Sequence, residues 1–170
     1  KLDMICSNER VFPAEIKMAK MKERELLLKN KLKNLKGYDY VFIDCAPSMN
    51  LLNQNALLFA DEIVVPVSME YLSLIGVKQL LKNIKILNRI FKKTITIKKV
   101  IPTFFDSRHK KSKDITASLR RVFPDMISRP IRTSQFLSEA PGKRKTIFEY
   151  APNSKVAEDY FEIVKELIND

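Results

Sequence analysis

An acidic residue at the end of an apolar run is the first candidate for chemistry. Asp44 ends the run Tyr40–Asp44 and precedes Cys45-Ala46-Pro47-Ser48. The run is typical of a buried parallel strand, and a carboxylate at the carboxyl end of such a strand faces the crevice in which α/β sheets bind ligands. In phosphoryl-transfer sites an Asp in this position holds magnesium. The alternative is an Asp that only caps the next helix.

A concentration of basic charge is the second candidate. The chain carries a formal net charge of +11, and Lys78–Arg121 holds 14 Lys or Arg against two acids, a balance of +12. One segment therefore supplies the whole excess, as a surface that binds a polyanion such as nucleic acid would. The alternative is a set of lysine-rich helix faces that are only solvated.

The residue types also exclude some classes of site. The three glycines, Gly37, Gly76 and Gly142, allow neither G-x-G-x-x-G nor G-x-x-x-x-G-K-[ST] within these 170 residues. Two cysteines without C-x-x-C spacing favour a reducing cytosol. No apolar run reaches the roughly 18–20 residues that span a bilayer. The start at Lys1, without an initiator Met and inside an expected strand, indicates a truncated chain.

Short apolar runs that alternate with helical patterns must position these residues. Four runs predict parallel strands, namely Leu2–Cys6, Tyr40–Asp44, Glu62–Val67 and Ile95–Ile101. A helix is predicted over Ser73–Phe91, with Leu74, Val77, Leu81, Ile84, Leu87 and Phe91 on one face. A closing helix follows Pro152-Asn153-Ser154, with Val156, Tyr160, Val164, Leu167 and Ile168 on one face. We expect an α/β fold, a doubly wound, mostly parallel sheet with helices on both faces, in a single domain over residues 1–170.

A set of short motifs in a fixed order gives the chain a family resemblance. The motifs are Ile43–Ser48, Asn55-Ala56-Leu57, Ala60-Asp61, Ile63–Val67, Glu70-Tyr71, Thr103–Arg108, Leu137–Pro141 and Tyr150-x-Pro152-x-Ser154 with Ala157 and Tyr160. In this order they resemble the ParA/Soj family of deviant Walker-A partitioning ATPases. The resemblance implies a P-loop NTPase fold of the ParA/MinD type, here without the strand and glycine-rich loop that hold the phosphates.

The resemblance also implies an activity and a cofactor site. The family binds ATP and Mg²⁺ as a dimer, binds DNA without sequence preference, and segregates chromosomes or plasmids. Asp44 would be the metal-binding carboxylate, and Asp44, Pro47 and Ser48 the catalytic switch segment. Thr103, Phe104, Pro130 and Ile131 occupy positions that frame the adenine in the family. Without the phosphate-binding loop, we expect these residues alone not to hydrolyse ATP.

DNA contacts and partners follow from the same resemblance. Arg108 stands at a DNA-contacting position, and Lys110, Lys111 and Lys113 follow it. A second family arginine aligns with Phe136, and Lys143, Arg144 and Lys145 are the candidates to replace it. The implied partners are double-stranded DNA, a ParB/Spo0J-like centromere-binding protein and a second copy of the chain, in the bacterial cytoplasm on the nucleoid.

Two alternatives have a different function. One is a truncated, non-hydrolysing module that binds DNA or another protein. The other is a MinD-like positioning ATPase at the membrane, which would end in a basic amphipathic helix. The acids within Glu158–Glu166 would be repelled by anionic lipid, so we expect no membrane partner.

Overall fold

The computed structural model describes residues 2–9, 11–46 and 48–169, with only the backbone for residues 11 and 12. The chain divides into two compact units. The first comprises Lys1–Asp61 with Lys85–Ile95, and the second comprises Glu62–Ile84 with Thr96–Asp170. The single domain expected from the sequence stays a prediction.

Helices form the regular structure of the first unit. They are α1 (Val11–Met18), a 3₁₀ turn (Arg24–Leu26), α2 (Leu27–Leu32) and α3 (Leu51–Phe59). Asn50 caps α3, because its side-chain oxygen accepts the N–H of Asn53 at 2.9 Å. Asn55 ties α3 to α2: its Oδ1 accepts the N–H of Leu28 at 3.0 Å, and its Nδ2 donates to the carbonyl of Arg24 at 2.8 Å.

A lysine side chain caps the carboxyl end of α3. The Lys93 Nζ donates to the carbonyls of Leu58 at 2.7 Å and Ala60 at 2.6 Å. Helix carboxyl ends leave carbonyls without partners, and a cation there also complements the helix dipole. Burial lowers the pKa of Lys93 from its ordinary value, while the Asp61 carboxylate opposes that effect.

Two of the four predicted strands are wrong. Leu2–Cys6 and Tyr40–Asp44 are irregular, and their side chains are exposed, with 93% exposure at Leu2 and 84% at Phe42. A buried parallel strand needs a hydrogen-bonded neighbour and helices over its faces. In the part of the chain that the structure describes, neither segment pairs with a strand, so its apolar composition does not bring it into a sheet.

The other two predicted strands are confirmed within two residues at either end. β1 (Glu62–Ser68) and β2 (Thr96–Thr103) pair in parallel, with an irregularity in register between Ile63 and Val64. They are connected by α4 (Tyr71–Phe91), which matches the helix predicted over Ser73–Phe91. Isolated parallel bridges at Val100 to Ile127 and at Phe105 to Arg132 continue the pairing beyond β2.

The rest of the second unit is helical. It contains α5 (Lys110–Val122), α6 (Gln135–Glu139), a 3₁₀ turn (Pro141–Lys143), α7 (Ile147–Tyr150) and α8 (Lys155–Asn169). Thr146 and Glu149 form a capping box at the start of α7. Among the described residues, no helix is both long enough and apolar enough to cross a bilayer.

Two apolar clusters make the core of this unit. One contains Val65, Val67, Met69, Val77, Val100, Ile115, Leu119 and Phe123, and the other contains Ile101, Ile131, Ile147, Val156, Ala157 and Ile163. The predicted inner face of α4 is confirmed by the burial of Val77, Ile84 and Leu87. The predicted inner face of α8 is partly wrong: Val164 is 40% exposed and Ile168 is 56% exposed, and Asp159 and Ile163 are buried instead.

Candidate functional site

The predicted switch segment is an exposed, irregular stretch of the first unit. Asp44 and Ser48 are both exposed, and Pro47 lies outside the described residues. Within the described ranges, no cluster of three or more His, Cys, Asp or Glu side chains could hold a metal ion. A single carboxylate nevertheless fits Mg²⁺, which takes one or two protein carboxylates and completes its shell with substrate phosphates and water.

A buried asparagine holds the backbone that follows Asp44. The Asn53 side chain donates its amide N–H groups to the carbonyls of Ala46 and Ser48. Asn53 is only 9% exposed and lies in the first turn of α3. Its backbone N–H is bonded to the Asn50 cap, so the start of the helix positions its side chain. Asn53 was not predicted from the sequence, since an amide in a helix gives no signal of a contact with a preceding turn.

The segments predicted to frame an adenine lie side by side in the second unit. The N–H of Phe105 donates to the carbonyl of Ile131 at 3.0 Å, and the N–H of Ile131 donates to the carbonyl of Pro102 at 2.8 Å. The side chains differ, however, because Ile131 is buried in the core whereas Phe104 is 65% exposed. Phe104 also has a left-handed backbone, with φ 53°, which is uncommon for a residue with a side chain. The adenine contacts themselves stay a prediction.

Arg108 stands on a turn that its own neighbour makes rigid. Asp106 accepts the backbone N–H and the Nε of Arg108, each at 3.0 Å, and the Arg108 Nη2 at 2.6 Å. These bonds hold the pKa of the Asp106 carboxyl far below its usual range and raise the pKa of Arg108. The Arg108 side chain is 85% exposed, so this charge is fixed in direction and open to a ligand.

The predicted lysines lie on two different elements. Lys110, Lys111 and Lys113 are in the first turn of α5, where Lys111 also bonds Glu70 at 2.7 Å. The residues buried on that helix are Ser112, Ile115 and Leu119, so its charged residues face outward. Lys143, Arg144 and Lys145 are exposed and follow α6 in the 3₁₀ turn and the residues after it. Arg108 therefore lies next to the lysines at the start of α5. Lys143, Arg144 and Lys145 lie on a separate turn.

Residues outside the predicted set complete the surroundings of Arg108. Arg132 donates Nε and Nη2 to the buried Asp159 at 2.6 and 2.7 Å, which raises the pKa of Arg132. Both residues line a pocket of about 410 Å³ together with Arg108 and Arg129. One signal of this pair was present in the sequence, since Asp159 interrupts the apolar face of the closing helix. Nothing in the sequence indicated its partner 27 residues away.

Comparison with known proteins identifies the family. A family model described as an AAA domain matches residues 1–97. The sporulation initiation inhibitor protein Soj of Bacillus subtilis is 34% identical over 168 residues, or 98% of this chain and 66% of Soj. The chromosome partitioning protein ParA of Myxococcus xanthus is 33% identical over 161 residues, or 91% of this chain and 56% of that protein. The chain thus spans less than two thirds of the length of either relative.

Solved structures agree on the fold. McdA of Cyanothece in its apo form superposes with a TM-score of 0.83, at 22% identity, over 95% of this chain and 66% of that one. Cobyrinic acid a,c-diamide synthase of Mycobacterium smegmatis, with a bound ATP analog and magnesium, has a TM-score of 0.67 at 30% identity. That match covers 76% of this chain and 54% of the synthase. The fold is α/β of the P-loop NTPase class, and the chain belongs to the ParA/Soj family of partitioning ATPases.

Proposed function

We propose that this chain is the magnesium-binding and DNA-binding part of a partitioning ATPase, which dimerises on ATP and binds duplex DNA without reading its sequence. The observation that carries the proposal is the exposed Arg108, fixed by Asp106 next to the lysine-rich first turn of α5. Contacts of this kind neutralise phosphates and carry no information about the bases. A rigid turn lowers the cost of ordering the arginine when DNA binds.

Asp44 is the proposed magnesium ligand. The metal would neutralise phosphate charge and orient the β- and γ-phosphates of ATP. Asp44 supplies one carboxylate, and Asn53 holds the carbonyls on both sides of residue 47 at a defined distance from α3. The solved synthase with a bound ATP analog and magnesium, 30% identical to this chain, supports this cofactor pair.

The glycine pattern that cradles phosphates does not occur in these residues, so we propose that the chain alone does not turn over ATP. A chimera in which the chain replaces the matching 168-residue segment of Soj provides the test of Asp44. We expect ATP turnover by the chimera and its loss in Asp44→Ala, with the circular-dichroism spectrum unchanged. Asp39→Ala, a nearby exposed acid, is the control. Normal turnover in Asp44→Ala would exclude the magnesium role.

DNA binding is tested on the chain itself with two unrelated duplexes, by fluorescence anisotropy from about 50 to 200 mM salt. We expect the affinity to be weak, because a single patch lacks the avidity of a dimer. It should fall steeply with salt and be alike for both duplexes, because phosphate contacts release counterions and carry no information about the bases. Arg108→Glu with Lys110→Glu should remove binding on both duplexes, whereas Lys36→Glu, an exposed lysine of the first unit, should not. Unchanged affinity in the double variant would show that the patch is only solvated. Loss on one duplex alone would indicate sequence reading.

The remaining parts of the proposal concern partners and location. We propose a ParB-like centromere-binding partner and a location on the nucleoid in the cytoplasm, on the support of relatives named as chromosome partitioning proteins. The second candidate function is a DNA-binding module without hydrolysis, which would use the basic surface of Arg108 and the first turn of α5 alone. The partitioning ATPase and the non-hydrolysing module both predict ATP turnover in the Soj chimera and none in the chain alone. The coding sequence upstream of Lys1 distinguishes these two functions.

A further inference from the structure

The outward face of α4 combines apolar and basic side chains. Tyr71 is 57% exposed, Leu72 is 78% exposed and Ile75 is 62% exposed. Lys78 and Lys82 follow on the same helix and are also exposed. Side chains three and four residues apart lie on one face of a helix, so the five form one continuous strip, the outer α4 surface. Its first turns are apolar, and two cations follow.

The opposite face of the same helix is occupied by the core of the second unit. Val77 and Ile84 are buried, and Val77 packs in the apolar cluster that β1, β2 and α5 share. This burial fixes the rotation of α4 about its axis, and so directs the outer α4 surface to solvent. Large apolar side chains that are exposed next to one another, rather than singly, mark a site of interaction.

The charges around the outer α4 surface determine which partner it favours. Helix α4 contains no Asp or Glu. Glu70 bonds Lys111 at 2.7 Å, which brings the start of α5 next to the start of α4. Residues 70–84 and 106–114 together hold six Lys or Arg against three Asp or Glu, a balance of +3. A second copy of this surface would be repelled, whereas an acidic partner would be attracted.

We propose that the outer α4 surface binds an acidic amphipathic helix of a partner protein. The apolar residues of that helix would cover Tyr71, Leu72 and Ile75. Its carboxylates would face Lys78 and Lys82. DNA would match the charge but leave the apolar side chains in water. A lipid surface takes up the whole apolar face of an amphipathic helix, and most of the apolar face of α4 is inside the core. The inference goes beyond the proposed function and does not depend on it.

The experiment uses a labelled helical peptide of about 18 residues, long enough to form a helix in water. It carries leucines in its first two turns and glutamates on the same face of the next two. A matched peptide has lysines in place of the glutamates. Binding to the 170-residue chain is followed by fluorescence anisotropy from about 50 to 200 mM salt. We expect the acidic peptide to bind, more weakly as salt rises, and the basic peptide not to bind.

Variants of the chain locate the binding surface. Leu72→Ser and Ile75→Ser should each weaken binding of the acidic peptide about tenfold, because each removes the burial of one large apolar side chain. Lys78→Glu combined with Lys82→Glu should abolish binding through repulsion. The control is Val122→Ser, which removes a 53% exposed apolar side chain at the far end of α5. Urea midpoints should stay unchanged, since all these side chains are exposed.

Several results would overturn the inference: no binding of the acidic peptide, equal binding of both peptides, or an equal loss in Val122→Ser. Loss of duplex binding, of sedimentation with phosphatidylglycerol vesicles or of self-association in Leu72→Ser would assign the surface to DNA, lipid or a second copy instead. Binding to the chain but not to the Soj chimera would show that another part of the longer protein covers the surface. The proposed DNA binding is tested separately by Arg108→Glu with Lys110→Glu, so either proposal can fail alone.

Discussion

Removing Arg132 should destabilise the second unit more than removing Asp159, although the two side chains form one ion pair. The asymmetry comes from burial: the Asp159 side chain is 1% exposed and the Arg132 side chain is 40% exposed. Asp159 accepts three bonds, from the backbone N–H of Arg132 at 3.2 Å and from its Nε and Nη2 at 2.6 and 2.7 Å. A buried charge that loses its partner is costly, whereas a half-exposed one can be hydrated.

The magnitudes follow from what each variant leaves behind. Arg132→Ala leaves a buried carboxylate with only a backbone N–H, and breaking a buried pair in this way costs about 3–5 kcal/mol. Asp159→Ala leaves a guanidinium that water can reach, so its cost is the loss of charge-assisted hydrogen bonds, about 2 kcal/mol. With a urea m-value of about 2 kcal/mol/M, the midpoints should fall by about 2 M and 1 M.

The decisive measurement is the double variant. Adding Asp159→Ala to Arg132→Ala removes the buried carboxylate that has lost its partner. The double variant should therefore be more stable than Arg132→Ala alone. Urea unfolding followed by far-UV circular dichroism gives the three midpoints. Lys165→Ala breaks an exposed pair with Glu162 and should cost less than about 1 kcal/mol. Equal losses in the two single variants, or a double variant less stable than Arg132→Ala, would refute the reasoning.

Two further predictions concern local contacts. The depressed pKa of Asp106 means that its bond to Arg108 is present above the ordinary carboxyl range and is lost only as pH falls well below it. A ¹³C NMR titration should therefore find Asp106 titrating below the ordinary carboxyl range in the parent chain and at a higher pH in Arg108→Ala, which loses the side-chain bonds but keeps the backbone N–H; an unchanged titration would exclude the side-chain contact. Thr146→Ala should cost about 1 kcal/mol through loss of the α7 cap, and Thr146→Ser much less. Equal urea midpoints in these two variants would contradict the capping role.

The parts of the fold that the sequence predicted are those that local pattern determines. β1 and β2 are short runs rich in β-branched residues, and α4 has apolar residues three and four apart, so each element carries its own signal. Leu2–Cys6 and Tyr40–Asp44 have the same composition but form no strand. A strand depends on a neighbour, and composition does not report whether that neighbour is present.

The candidate site divides in the same way. Arg108 was predicted from a local motif, and its turn with Asp106 depends on residues two apart. Asn53 and Asp159 were missed because their contacts exist only in the folded chain. Asp159 and Arg132 are far apart in sequence, and Asn53 acts through the direction of its side chain at the start of α3.

The two hydrogen bonds from the Asn53 side-chain amide couple the segment after Asp44 to the movement of α3. That segment cannot shift as a free loop: either both bonds break, or α3 moves with it. Two residues along, Asn55 is bonded to Leu28, so a movement of α3 would draw α2 with it. The carboxyl end of α3 is held by Lys93, which donates to the carbonyls of Leu58 and Ala60. Ligand binding at Asp44 would therefore tilt α3 about the carboxyl end that Lys93 holds.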